Sequence, residues 1–146
     1  MVKGEIKMKR IQLMIGDIIW VKFEGKDHIQ NGVRPAVVIQ NNKGNFYSPT
    51  VQVVPLTSKM NKAKLPTHCI IRKGEITGLK VDSIAQCEGS RLISQSDVIG
   101  KIGKASDVDM KNISKCCLVN NPFLIYFTGE ELVELQTELC LHNIVA

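Results

Sequence analysis

Residues 32–57 read GVRPAVVIQNNKGNFYSPTVQVVPLT, and the fold turns on how this stretch divides. Ala36, Val37, Val38 and Ile39 are four apolar residues in a row, bounded by turn formers, which predicts a buried strand over 36–40. Pro35 opens that strand, a position that tolerates a missing N–H. The residue before a proline is pushed into extended backbone, so Arg34 leaves the Asn31-Gly32 turn as a stiffly mounted guanidinium. Residues 41–49, NNKGNFYSP, are rich in turn formers and lead into a second strand at 50–57. Pro55 cannot donate a ladder hydrogen bond, which predicts an edge position or a bulge for that strand.

Working outward, GDIIWVKFE (16–24), KLPTHCIIRK (64–73), LKVDSIAQCEG (79–89) and DVIGKIG (97–103) supply four more strands. Trp20, in the first of them, reads as a core residue. Strands this short and closely spaced predict a small barrel or a strongly curved sheet. Helices come late. Ser106-Asp107-Val108-Asp109 has the form of a capping box, and Ile113, Cys116 and Cys117 continue an apolar stripe. Thr128-Gly129-Glu130-Glu131 starts another helix, predicted over 129–142, with Leu132, Leu135 and Leu139 at helical spacing. Glu130, Glu134 and Glu138 form an acidic stripe beside these leucines. The favoured reading packs the leucines on the barrel or a neighbouring subunit and turns the glutamates to water. The class is α+β.

The chain has 146 residues, 44% of them apolar, which fits one domain with a real core. No apolar run approaches the ~18 residues of a membrane span. The first thirteen residues are basic and lack a signal-peptide segment; with Met8 and Met14 as alternative starts, 1–13 reads as a loose extension. Five cysteines, an odd number without CxxC spacing, read as reduced thiols of a cytosolic protein. The histidines lie far apart, and neither a metal motif nor a cofactor motif is found. Net charge is uneven: residues 1–118 carry +9 and 119–146 carry −4. A body this basic attracts polyanions, nucleic acid first.

The sequence has no Ser/His/Asp order, no glycine-rich phosphate loop and no H-E-x-x-H. What remains is arginine, a planar fork suited to phosphate oxygens, and hydroxyl donors such as Thr57. Together they could stabilise a phosphorus centre as it gains charge, while RNA brings its own nucleophile in the 2′-hydroxyl. Residue identity alone favours a structural ion pair for Arg34 and an ordinary strand-end threonine for Thr57.

The run GVRPAVVIQNNKGNFYSPTVQVVPLTSK (32–59), then KAKLPTH (62–68), resembles the MazF/PemK family of toxin endoribonucleases. MIGDIIWVKF (14–23), LKVDSIAQCEGSRLI (79–93) and the helix from Ser106 are similar to further family elements, so the likeness spans residues 14–118. It implies an SH3-like barrel with C-terminal helices, the fold shared by MazF, PemK and CcdB toxins. The function it implies is that of a type II toxin: a sequence-selective, metal-independent endoribonuclease that cuts single-stranded mRNA and so inhibits translation and growth. By the family's G-x-R-P motif and T-ending strand, Arg34 and Thr57 would be the catalytic pair, leaving a 2′,3′-cyclic phosphate and a 5′-hydroxyl. Implied RNA contacts are Gln30, Asn41, Ser58, Lys59, Lys62, Lys64, Glu88 and Arg91, with Phe46 or Tyr47 as a weaker stacking face. The implied partners are an acidic, partly disordered antitoxin and a second copy of the chain, in the cytoplasm and away from membranes. Ile29 stands before Gln30 where the family often has Glu, and Gly89-Ser90 replaces a usual Gln-Ile; both changes bear on sequence preference. The tail beyond about 118 has no family counterpart. Two alternatives stay open: a member that binds RNA or antitoxin without cutting, and a gyrase-poisoning toxin of the same fold, although the chain ends Asn-Ile-Val-Ala rather than in a Trp-Gly-Ile type of terminus.

Overall fold

The computed structural model describes residues 10–25, 32–60 and 65–141. Seven antiparallel strands form one sheet: β1 (Asp17–Phe23), β2 (Gly32–Val38), β3 (Thr50–Thr57), β4 (His68–Ile71), β5 (Ser83–Gln86), β6 (Arg91–Ser94) and β7 (Val98–Lys104). The order is β4-β5-β3-β2-β1-β7, with β6 also paired to β3. Among the described residues, three α-helices accompany it: α1 (Asn42–Tyr47), α2 (Asp107–Asn120) and α3 (Gly129–Leu141).

Apolar side chains alternate between the two faces of the sheet, and both faces are covered. Ile18, Val37, Val54, Leu56 and Ile71 pack beneath Ile113 and Cys116 of α2. Ile19, Val21, Phe23, Ala36, Val38 and Val53 form the second cluster, closed by Leu13 and Val98.

Several local expectations are corrected. β2 starts at Gly32, not Ala36, so Arg34 and Pro35 lie within the strand, opposite Val21 and Trp20 of β1. Pairing of β2 with β3 begins only at Ala36↔Pro55, so on that flank the proline at 35 interrupts nothing. β3 is central rather than at an edge. Its outer neighbour is β6 along residues 50–53 and β5 from Leu56, and Pro55 falls in the gap where the partner changes. Gly89 packs there, where a Cβ would touch the Pro55 ring at 3.3 Å. β6 itself was unforeseen. The turn-rich 41–49 segment holds a short helix, because the Asn41 side chain accepts from the Gly44 amide at 2.8 Å and so caps α1.

The capping box of α2 is present, with Ser106 Oγ accepting from the Asp109 amide at 3.0 Å and the Asp109 carboxylate returning to the Ser106 amide at 3.3 Å. Thr128 and Glu131 make the same reciprocal pair at the start of α3. No residue of α3 is buried, however, and Leu139 is exposed, so within the single chain the leucine face does not dock on the barrel. Leu13 is fully buried, and the Arg10 guanidinium donates to Gln95 Oε1 at 2.8 Å, to the Asn45 carbonyl at 2.9 Å and to the Ser48 carbonyl.

Candidate active site

Arg34 is placed by β-pairing on one side. Val21, its partner on β1, belongs to the second cluster, and directly opposed residues of an antiparallel pair point to the same face. On the other side, β2 and β3 pair at Val38↔Val53, Val37↔Val54 and Ala36↔Pro55. Carried two residues toward the rim, that register sets Arg34 across from Thr57, the last residue of β3. The two strands therefore bring both side chains to one level and one face. β1 ends, β2 begins and β3 ends at this same rim.

Thr57 is only 2% exposed. Its Oγ1 accepts from the Lys59 amide at 3.2 Å, an arrangement that leaves the hydroxyl hydrogen available for donation. Arg34 is half-buried and borders a cleft of about 570 Å³ together with Trp20, Pro35, Leu56, Ser58 and Lys80. Trp20 is 41% exposed, at the rim of the face that β1 shares with Ile18 rather than that of Arg34, which corrects its reading as a core residue. The far wall comes from the Gly78–Val81 turn. Gly78 has φ +70 and lies so close to the Ile102 carbonyl that a Cβ would collide with it. Lys80, two residues on, lines the cleft, outside β5 although the sequence placed it in a strand.

The other predicted contacts divide. Ser58 lines the cleft, and Lys59 is exposed beside it. Arg91, opposite Val53 on β6, lies on the same face as Arg34 and stacks over the Phe23 ring at 4.9 Å. Burial lowers its pKa from the ordinary arginine value, and the side chain stays charged. Glu88 is committed elsewhere: its carboxylate takes the Thr67 hydroxyl at 2.8 Å and His68 Nε2 at 2.8 Å, tying the turn Cys87–Gly89 to β4. Asn41 lies past the opposite end of β2, the length of the strand away from Arg34 (~20 Å at ~3.3 Å per residue). Phe46 and Tyr47 are on α1 at that same far end, edge to face with each other at 4.8 Å. Gln30, Lys62 and Lys64 lie outside the described residues.

This arrangement can be set against known proteins. Residues 15–118 match the family described as PemK-like, MazF-like toxin of type II toxin–antitoxin system. The chain belongs to this family. It is 42% identical over 85 residues to Endoribonuclease MazF of Staphylococcus saprophyticus, covering 58% of this chain and 70% of that protein. Solved structures share the fold. MazF from Deinococcus radiodurans superposes with a TM-score of 0.65 at 17% identity, covering 75% of this chain and 96% of that one. An endoribonuclease in complex with its cognate antitoxin, from Mycobacterial species, gives a TM-score of 0.63 at 14% identity over 75% and 95% of the two chains. The seven-stranded antiparallel sheet with C-terminal helices is thus the MazF toxin fold, of α+β class. Among the described residues, no helix is long and apolar enough to cross a membrane.

Proposed function

We propose that this MazF-like toxin is an endoribonuclease that cuts single-stranded RNA without a metal, with Arg34 and Thr57 meeting the scissile phosphate. The observation that carries the reading is the shared level of these two side chains at the rim of the sheet, Arg34 on the cleft, in a chain 42% identical to a protein named Endoribonuclease MazF.

In the reaction, the substrate's 2′-oxygen forms a bond to phosphorus and the bond to the 5′-oxygen breaks. A 2′,3′-cyclic phosphate and a 5′-hydroxyl result; water takes the proton from the 2′-oxygen and supplies one to the leaving oxygen. Arg34 presents paired donors to the non-bridging oxygens, and the Thr57 hydroxyl adds a third. A guanidinium with a pKa above about 12 is a poor proton acceptor, so its work is charge stabilisation. Trp20 offers an exposed ring on which a flanking base stacks. Lys59, Lys80 and Arg91 extend positive charge around the site.

The partner that fits is an acidic antitoxin segment, disordered alone, which folds into the basic groove and covers Arg34. A homodimer in the cytoplasm completes the reading.

The deciding experiment incubates the purified chain with single-stranded RNA in EDTA and resolves the product ends. Fragments ending in a 2′,3′-cyclic phosphate are expected. RNA that is retarded on a native gel yet stays intact would instead identify a member that binds without cutting.

A further inference from the structure

Four of the five cysteines converge on one place that the cleavage reaction does not use. Cys69 comes from β4, Cys87 from the turn after β5, and Cys116 from α2, and their Sγ atoms all lie within 4.8 Å of one another. Cys117, next along α2, is half-buried and packs against the same core cluster. Cys87 and Cys116 are buried in the core cluster between sheet and helix. Their surroundings are apolar side chains, and the Cys87 thiol makes one weak hydrogen bond to the Ile113 carbonyl at 3.8 Å. No linear spacing announces the group, because three separate segments supply it.

We propose that Cys69, Cys87 and Cys116 bind one thiophilic d¹⁰ cation, Zn²⁺ or Cu(I), which clamps α2 to the sheet. Metal–thiolate bonds of ~2.3 Å hold the sulfurs around a trigonal or tetrahedral ion roughly 3.7–4 Å apart. The observed spacing reaches that with small side-chain rotations. Sulfur ligands without a neighbouring carboxylate oxygen or imidazole in the set select soft ions over Mg²⁺ or Ca²⁺. Three sulfurs suit Cu(I); Zn²⁺ takes Cys117 as its fourth ligand and closes a structural tetrahedron. Each ligating thiol gives its proton to water on binding. Cys69 opens onto a cleft of about 460 Å³ bordered by His68, Arg72 and Asn112, which provides a way in. The inference is independent of the nuclease reading.

The test titrates the full-length, fully reduced chain with Co²⁺ as a spectroscopic substitute for Zn²⁺, and separately with Cu(I) delivered from a competing chelator. One ion per chain is expected, with sulfur-to-cobalt charge-transfer bands in the Co²⁺ arm and a rise in melting temperature in both. Cys69→Ala, at a half-buried site where folding is readily verified by circular dichroism, should weaken binding at least as much as the roughly 10–100-fold that losing even an outer-shell partner costs. Cys116→Ser should do the same, whereas Cys140→Ser, on α3, should change nothing. Cys117→Ser separates the ions: affinity falls for Co²⁺ and holds for Cu(I). Absence of the charge-transfer bands together with absence of Cu(I) retention overturns the proposal. So does binding that folded Cys69→Ala leaves intact.

Discussion

Arg34 and Thr57 stand at the same level on neighbouring strands, one the third residue of β2 and the other the last of β3. Two different constraints hold them there. β1 pairs with β2 through Gly32, two residues beyond Arg34, which fixes the arginine backbone inside a ladder rather than a loop. Thr57 pairs with Ile84 of β5, and its hydroxyl oxygen is occupied by the Lys59 amide. The guanidinium keeps its long stem, while the hydroxyl is nearly immobile.

Replacing the charge tests the first of these. Arg34→Ala should lower the RNA cleavage rate by about 10²–10³-fold, the usual effect of losing one transition-state donor. Its melting temperature should stay close to wild type, because Arg34 lies outside both core clusters. Arg34→Lys should recover only part of the loss, since an ammonium lacks the planar fork. Single-turnover rates at saturating protein are the measurement.

For Thr57, the hydroxyl and the methyl group can be separated. Thr57→Ser keeps the donor and should retain most of the rate. Thr57→Val keeps the shape and should lose about as much as Arg34→Ala. Equal rates for the serine and valine variants would remove the hydroxyl from the chemistry.

Trp20 is predicted to contribute to binding rather than to the chemical step. Trp20→Ala should weaken binding of an uncleavable 2′-deoxy-substituted RNA by about 1–3 kcal/mol, the range for a stacked base. Fluorescence anisotropy reads the affinity directly. With Trp20 exposed on β1, the fold should persist.

How much of this was legible beforehand depends on where the determining interaction lies. The β1 and β3 boundaries followed from local alternation, and the α2 start from its capping box. Pro55 misled because the exchange of β6 for β5 along β3 is a tertiary event, invisible to a rule about single strands. Trp20 misled because hydrophobicity does not say which face of a strand is covered. Arg34 and Thr57 were singled out through a family motif; Lys80, beside the close approach of Gly78 to Ile102, was not. The thiol group escaped because its members share no periodicity.

Glu88 is predicted to act on stability more than on RNA. Glu88→Ala should cost about 1–3 kcal/mol of unfolding free energy, because His68 Nε2 and the Thr67 hydroxyl lose their shared acceptor. Cleavage per folded molecule should change little. Urea unfolding combined with active-site titration distinguishes this from a loss of substrate contact.

Deleting residues 128–146 should leave both the melting transition of the sheet and the cleavage rate unchanged. α3 buries none of its residues, and its glutamates lie on a helix that is not packed into the barrel. Faster cleavage by the truncated chain would show that the acidic helix restrains the enzyme.

The network around Arg10 bears on how the gene can be read. Arg10 binds Gln95 and the carbonyls of Asn45 and Ser48, and Leu13 fills the second core cluster. A ribosome that initiated at Met14 would make a chain without either residue, leaving a hole in the core and carbonyls stripped of their charged donor. Initiation at Met8 would keep both. A chain that began at Met14 would therefore be less stable than one that began at Met8.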